Sequence, residues 1–440
     1  MAESVRPMGN RDVLRLPEFR KIFAAQAVSD VGDGMTFMAL LLLVNELTHS
    51  PAALAVLSIA VAVPSMIGGV IAGAYADRLD RRRIMIVSDI VRAGLVLGFV
   101  VVGTIERLPI LYVVAFLQAA IGTLFSPARG ALIPRIVPRE GLMAASALAQ
   151  LSRMIGGLIG TGLTGVIIAT TGSAWPAFVL DAATFLVSAA IVLRVAPELG
   201  RVPEAATGQA RQGVRASAVE GLKIIGRSPT LLATVVGLAI AMLGLGAVNV
   251  LFVPFLIDVL RESAAWAGPL EAAQVLSMVL ASGVVAGLAT RATPQAIMVG
   301  SLLGVGVGIA LLSAAPNAPA VLLIMFVVGW FVTPAQAATQ TILLTTTADD
   351  NRGRVLGAFQ ASMSTTTILS TAAAGVFASI IGVRTVLLAG GLICLGAAIV
   401  TALLFRADRA EEAVGAERTA DDAAPADHDA ARAAASVAGS

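Results

Sequence analysis

GAYADRLDRRR, residues 73–83, sets four arginines and two aspartates between two long apolar runs, about 54–76 and 84–104. The cluster stands out because the chain holds so little charge. Of 440 residues, 57% are hydrophobic and 13% charged, and the mean hydropathy is +0.89. A soluble domain carries about 25% charged residues. This chain has too little charge to cover a water-facing surface and is too apolar to be disordered. A membrane helix needs roughly 20 apolar residues to cross a hydrocarbon core of about 30 Å. Run, charged loop and run therefore read as two membrane helices joined on one side of a bilayer.

Working outward, the same reading finds twelve stretches: about 19–44, 54–76, 84–104, 109–128, 142–170, 175–195, 229–257, 270–290, 296–315, 319–343, 354–381 and 384–405. The runs are continuous rather than alternating, which excludes a β-barrel. The longest internal loop, 197–228, divides them six and six. The expected organisation is a cytoplasmic N-terminal segment (1–18), a six-helix bundle (19–196), a cytoplasmic linker (197–228), a second six-helix bundle (229–405) and a disordered cytoplasmic tail (406–440). The polar opening MAESVRPMGNRDVLRLPEFRK lacks the short apolar core of a cleaved signal peptide. The fold class is an all-α polytopic protein of the cell membrane.

Basic residues sort by side. With the N-terminus inside, 25 of the 30 Lys and Arg fall on the cytoplasmic side and three (Arg107, Arg261, Arg384) on the other. Arg92 and Arg153 lie within helices. The positive-inside rule then places both termini in the cytoplasm. The sorting also accounts for the pI of 9.1 without nucleic acid, since the net charge is only +2.

The halves resemble each other. GVIAG (69–73) aligns with GVVAG (283–287), Gly32 and Gly34 with Gly244 and Gly246, and FSPAR (125–129) with VTPAQ (332–336), in the same order at nearly constant offset. A six-helix unit duplicated in parallel is an architecture of secondary transporters, with substrate between the halves.

Residues 73–83 resemble the loop 2–3 signature of the major facilitator superfamily, roughly G-x-L-A-D-R-x-G-R-R. Gly73, Ala76, Asp77, Arg78, Arg81 and Arg82 match; Tyr75 and Asp80 depart from it. FRKIFAAQAVSDVGDG with LLLV, and FSPARGALIPRIVPREGLMAASAL, resemble the branch holding the enterobactin exporters and macrolide-efflux proteins. The resemblance spans about residues 14–405. It implies a twelve-helix, proton-coupled exporter of two pseudo-symmetric bundles, without specifying the substrate. It also implies that Asp77 latches the halves on the cytoplasmic face, against Arg352 and Arg354 at a helix N-terminus that favours an anion. Arg81, Arg82 and Arg83 read as orientation determinants and headgroup contacts. Gly156, Gly160 and Gly165 resemble the superfamily's antiporter glycine motif, with Thr161 and Thr164 in place of its Pro and a Gly. Close packing of two helices explains the same glycines.

Charges inside the bilayer are costly and normally meet a partner or a wet cavity. Asp30 and Asp33 sit three apart on one helix face near the midplane and are candidates for proton coupling; bonding to a neighbouring helix is the other reading. Asp89 and Arg92, also three apart, read as a structural pair. Arg153 is expected either to neutralise Asp30 or Asp33 or to bind an anionic substrate. Asp181 reads as a helix–helix hydrogen bond. The second half offers Asn249, Gln274, Gln336, Gln340, Gln360, Met363 and Trp330 as cavity candidates. One cysteine and two histidines leave no metal cluster. No G-x-x-x-x-G-K-[ST] loop is present, and no Ser/His/Asp constellation is credible, so neither an ATP-driven pump nor an enzyme is expected. The expected partners are the lipid bilayer, protons and a small amphipathic substrate, with no cofactor and a monomeric state. Import of a polar metabolite, or a transporter-like receptor, are the competing functions. Tags at Ser440 and within 107–109 should label from opposite sides of the membrane; same-side labelling would contradict twelve spans.

Overall fold

Prolines and side-chain caps set where the helices begin. Pro17, Pro229 and Pro294 stand at the first helical position, where a missing N–H costs nothing. Ser228, Thr293 and Asn317 accept the backbone N–H of Leu231, Ala296 and Ala320 at 3.4, 3.3 and 3.1 Å. At the other ends, His49 and Gly172 turn left-handed (φ 45° and 68°) and stop their helices.

The computed structural model describes residues 8–76, 80–101, 104–200, 214–348 and 351–408. Its long helices are α1 (Pro17–Thr48), α2 (Pro51–Ala76), α3 (Arg81–Phe99), α4 (Leu108–Leu132), α5 (Leu142–Thr171) and α6 (Trp175–Val192) in the first half. The second half has α7 (Pro229–Pro254), α8 (Ala267–Ala289), α9 (Pro294–Ser313), α10 (Ala318–Thr346), α11 (Arg352–Ile381) and α12 (Val383–Asp408). Among the described residues, ten of these helices are long and apolar enough to cross a membrane. α2 and α3 complete the twelve. α3 is the least apolar because Arg81, Arg82, Arg83, Asp89 and Arg92 all fall within it.

The packing repeats between halves. α1 packs on α5 and α6, α4 on α2 and α3, and α3 on α6; α7 packs on α11, and α10 on α8 and α9. Gly244 lies against Gly390 and Cys394 of α12, as Gly32 lies against Asp181 and Thr184 of α6. Gly34 meets the α5 backbone, and Gly246 meets Ser370 of α11. The glycines aligned by the sequence repeat thus occupy equivalent crossings. Outside these contacts, large apolar side chains such as Ile110, Leu323 and Ile380 stay exposed around the bundle, as a lipid-facing surface requires.

Part of the linker is helical. Val214–Arg227 folds as a helix whose Ile225 is buried beside Leu231, Val355 and Phe359. Its Gly221 sits against the Arg354 carbonyl and Ala358. Gly221 and Ile225 are four apart, so one face of the segment docks on α11. At the chain's other end, α12 continues through Asp408, whose carboxylate accepts a hydrogen bond from Thr230; the rest of the expected tail lies outside the described residues.

The α1–α5 crossing depends on absent side chains. A Cβ on Gly34 would come 2.8 Å from the Gly157 Cα, whereas one on Gly94 would meet nothing. Gly34→Ala should lower the thermal unfolding midpoint in detergent, by an overpacking cost of about 1–3 kcal/mol, while Gly94→Ala leaves it unchanged or raises it.

Candidate functional site

The α1–α5 crossing also positions chemistry. Gly156 leaves room for Asp30, since a Cβ there would lie 2.6 Å from the Asp30 Cβ. Ser152, one turn earlier on α5, donates from its hydroxyl to Asp30 Oδ2 at 2.6 Å. One turn along α1, Asp33 Oδ1 accepts from Arg92 Nη2 in an ion pair. The guanidinium lies 4.1 Å from the centroid of the Phe185 ring. Gly122 of α4 gives it space, with only 3.5 Å between a notional Cβ and the Arg92 Cζ.

Two more carboxylates complete the group. Asp181, fully buried on α6, accepts from the Thr36 hydroxyl at 2.6 Å and the Thr184 hydroxyl at 3.0 Å. Asp89, also fully buried, accepts from the Ser188 hydroxyl at 2.6 Å. Arg92 interacts electrostatically with both. The expected Asp89–Arg92 pair is therefore corrected. Three-residue spacing brings these side chains to one helical face, but the Arg92 hydrogen bond goes across to Asp33, while Ser188 donates to Asp89 Oδ2 and leaves Oδ1 without a hydrogen bond.

A cavity of about 520 Å³ opens beside this network, lined by Gln26, Asp30, Asp33, Arg92, Arg129 and Arg153 among others. Arg153 pairs with neither aspartate. It is exposed, and its Nη2 donates to Gln150 Oε1 at 2.7 Å on its own helix. Buried Arg129 is instead the arginine that interacts electrostatically with Asp30. The apolar stretch 109–128 stops one residue short of Arg129, but α4 runs on to Leu132 and carries Arg129 one turn beyond Phe125.

The motif arginines hold helix ends. Arg81 donates to the Ala131 carbonyl at 2.9 Å, and Arg82 to the carbonyls of Val192 and Leu193 at 3.3 and 2.5 Å. These carbonyls lie at the C-termini of α4 and α6, where a cation is favoured; that of Val192 also accepts the Val195 N–H at 3.0 Å. Gly73 belongs to α2; Asp77 and Arg78 lie outside the described residues. Arg352 donates to the Leu344 carbonyl at 3.1 Å, and Arg354 pairs with Glu220 of the linker helix at 3.1 Å.

The halves meet at the face opposite the termini. Asp258 accepts from Asn45 Nδ2 at 2.9 Å and lies 3.0 Å from His49 Nδ1. Asp258 belongs to a π-helical turn, Phe255–Val259, that follows Pro254. Gly165 sits against Ala264, Gly162 against Gly268, and Gly375 of α11 against Pro51 and Ala52 of α2. The α5 glycines therefore serve two contacts, Gly156 and Gly160 with α1 and Gly165 with the other half.

Between the halves lies a second cavity of about 200 Å³, with Phe37 and Met38 from α1 and Asn249 and Phe252 from α7. Gln274 and Glu271 of α8 also line it, and Thr161 is the hydrogen-bonding side chain beside the Glu271 carboxyl. Glu271 is absent from the sequence reading. Its stretch was drawn from 270, but the helix starts at Ala267, and an acidic residue so close inside an apolar run was the available signal. Asn249 thus lies in this cavity. Trp330 lines a separate apolar one with Phe331 and Val285. Gln336, Gln340 and Gln360 are exposed, and Met363 is packed with Leu343 and Phe359.

Two pseudo-symmetric six-helix units, closed at one face and enclosing cavities lined by charge, define a membrane transporter. The chain belongs to the major facilitator superfamily, whose family model matches residues 22–294 and 267–436. It is a multi-pass protein of the cell membrane. It is 29% identical over 397 residues to the uncharacterized MFS-type transporter YfiS of Bacillus subtilis strain 168, covering 86% of this chain and 91% of that one. It is 29% identical over 370 residues to the enterobactin exporter EntS of Shigella boydii, covering 82% and 85%. Among solved structures, a mutant of the nucleoside transporter NupG superposes with a TM-score of 0.73 at 12% identity, covering 88% of this chain and 100% of that one. A mutant of the peptide transporter POT gives 0.70 at 12% identity, covering 92% and 99%.

Arg92 is shared among carboxylates, so its loss should cost more than the loss of its ion-pair partner. Arg92→Gln should destabilise the protein by about 3–5 kcal/mol, the usual cost of stripping the counter-charge from buried groups. Asp33→Asn leaves Arg92 with Asp89 and Asp181 and should cost clearly less. Thermal unfolding of the two variants in detergent ranks them.

Proposed function

We propose that the chain exports a small amphipathic compound in exchange for protons, by alternating access, with both termini in the cytoplasm. The observation that carries this reading is the Asp33–Arg92 ion pair at the edge of a cavity. Asp33 lies among Asp30 on its own helix, Arg92 and Asp89 on α3, Asp181 on α6, and Arg129 and Arg153 at the cavity wall. A proton arriving at Asp33 removes the charge that holds Arg92. The guanidinium then turns to Asp89 and Asp181, which remain. One proton thereby selects between two arrangements of the α1–α3–α6 contact, and such differential contact is what a coupled transporter requires.

Export is supported by the likeness to a protein named as an enterobactin exporter. The contacts around Asp258 join the halves at the face opposite the termini, and the polar cavity carries Arg92, Arg129 and Arg153 in its wall. In the proposed cycle Asp77 engages the start of α11 when that side closes, and Glu220 holds Arg354 in the present arrangement.

Efflux from proteoliposomes under an imposed pH gradient, screened over a panel of amphipathic compounds, tests the reading. Asp33→Asn should abolish the response to the gradient, Asp30→Asn should weaken it, and Arg153→Gln should leave coupling intact. Full gradient-driven efflux in both aspartate variants would move the proton site to Asp181 or Asp89. No transport of any compound by the unaltered protein would sink export itself.

A further inference from the structure

The cavity between the halves has a chemical character of its own. Its wall is mostly apolar, with Phe37, Met38 and Phe252 around it, and its polar groups are Asn249, Gln274, Thr161 and Glu271. Glu271 is its ionisable group. Among the described residues, no lysine, arginine or histidine lines the cavity, and Glu271 makes no ion pair. That sets it apart from the first half, where Asp33 has Arg92 and Asp30 has Arg129 nearby. A carboxylate inside a membrane bundle is held at a cost and needs a counter-charge or a wet cavity.

We propose that this cavity is a cation subsite, in which Glu271 supplies the counter-charge for the quaternary or protonated amine end of an amphipathic substrate. The proposal rests on the transport reading above and names its substrate class. Phe37 and Phe252 present aromatic surface that attracts a cation, and Met38 and Met325 add polarisable contacts. Asn249 and Gln274 offer side-chain carbonyls to an ammonium N–H. The volume, about 200 Å³, is below the roughly 300–1,000 Å³ of drug-sized pockets, so it takes one end of a molecule. Glu271 and Thr161 come from opposite halves, α8 and α5, so a cation drawn to the carboxylate sits on the seam that must open during transport.

Binding without a gradient separates this proposal from the transport reading. Radiolabelled benzyltrimethylammonium and its neutral carbon isostere, neopentylbenzene, are compared by equilibrium dialysis against the purified full-length protein in detergent. The unaltered protein should bind the cation about tenfold or more tightly than the isostere. Glu271→Gln, nearly the same shape, should lose that preference while keeping its affinity for the isostere; Glu271→Asp should recover part of it. Equal binding of cation and isostere by the unaltered protein overturns the proposal without any variant, as does no binding of the cation. So does an undiminished preference in folded Glu271→Gln, checked by its thermal unfolding. Cation binding with no gradient-driven efflux would leave the subsite standing and remove the exporter.

Discussion

Arg92 is a single cation inserted among carboxylates on three helices, and the first half is arranged around it. Its guanidinium reaches Asp33 on α1, acts on Asp181 of α6 and on Asp89 of its own helix, and rests on Phe185. Charges inside a membrane bundle need a counter-charge or a wet cavity, and Asp33 has both, with Arg92 beside it and the cavity in front of it. The hydroxyls of Ser188, Thr36 and Thr184 donate to the buried carboxylates of Asp89 and Asp181. The helices must approach closely enough for such short side chains to reach, which is why Gly32 faces Asp181 and Gly122 faces Arg92. Packing and electrostatics are here one constraint: glycine sets the separation and the separation sets the network.

The second half repeats the packing without the first half's cluster of charges around one arginine. Gly244 crosses α12 where Gly32 crosses α6, but the partners are Gly390 and Cys394 instead of an aspartate. The duplication kept the backbone crossings while the halves diverged in polarity. The proposed proton-sensitive element and the proposed cation subsite accordingly fall in different places, one wholly in the first half and one on the seam.

The apolar runs made the architecture readable because hydrocarbon leaves the backbone little choice but helix. The glycine repeat made the symmetry readable, since aligned glycines mark equivalent crossings. Asp30, Asp33 and Asp181 were visible as charges out of place. Their partners were not. Spacing along one helix pointed Arg92 to Asp89, but the ion pair crosses to α1, and only the rotation of α3 against α1 decides that. Arg153 looked like the counter-charge of the first half, yet its side chain turns to Gln150 on its own helix. Glu271 is the second residue of the 270–290 run, where a charge reads as belonging to the membrane surface; α8 begins at Ala267, which carries Glu271 into the bundle. Residues 214–227 read as polar linker because their few apolar residues matter only once α11 is beside them.

The seam at Gly162 and Gly268 has a kinetic consequence. A Cβ added to Gly268 would lie 2.5 Å from the Gly162 Cα, so two bare backbones face each other across it. Interlocked side chains must change rotamer, or climb over one another, before two helices separate. Smooth backbone surfaces have no teeth to disengage. The halves can part and re-register there with little friction, so resistance to the motion falls to the directional contacts across the seam, those of Asp258 with Asn45 and His49 and of Glu271 with Thr161. Opening speed then becomes a property of a few polar side chains along the seam, adjustable one substitution at a time without loosening the bundles on either side.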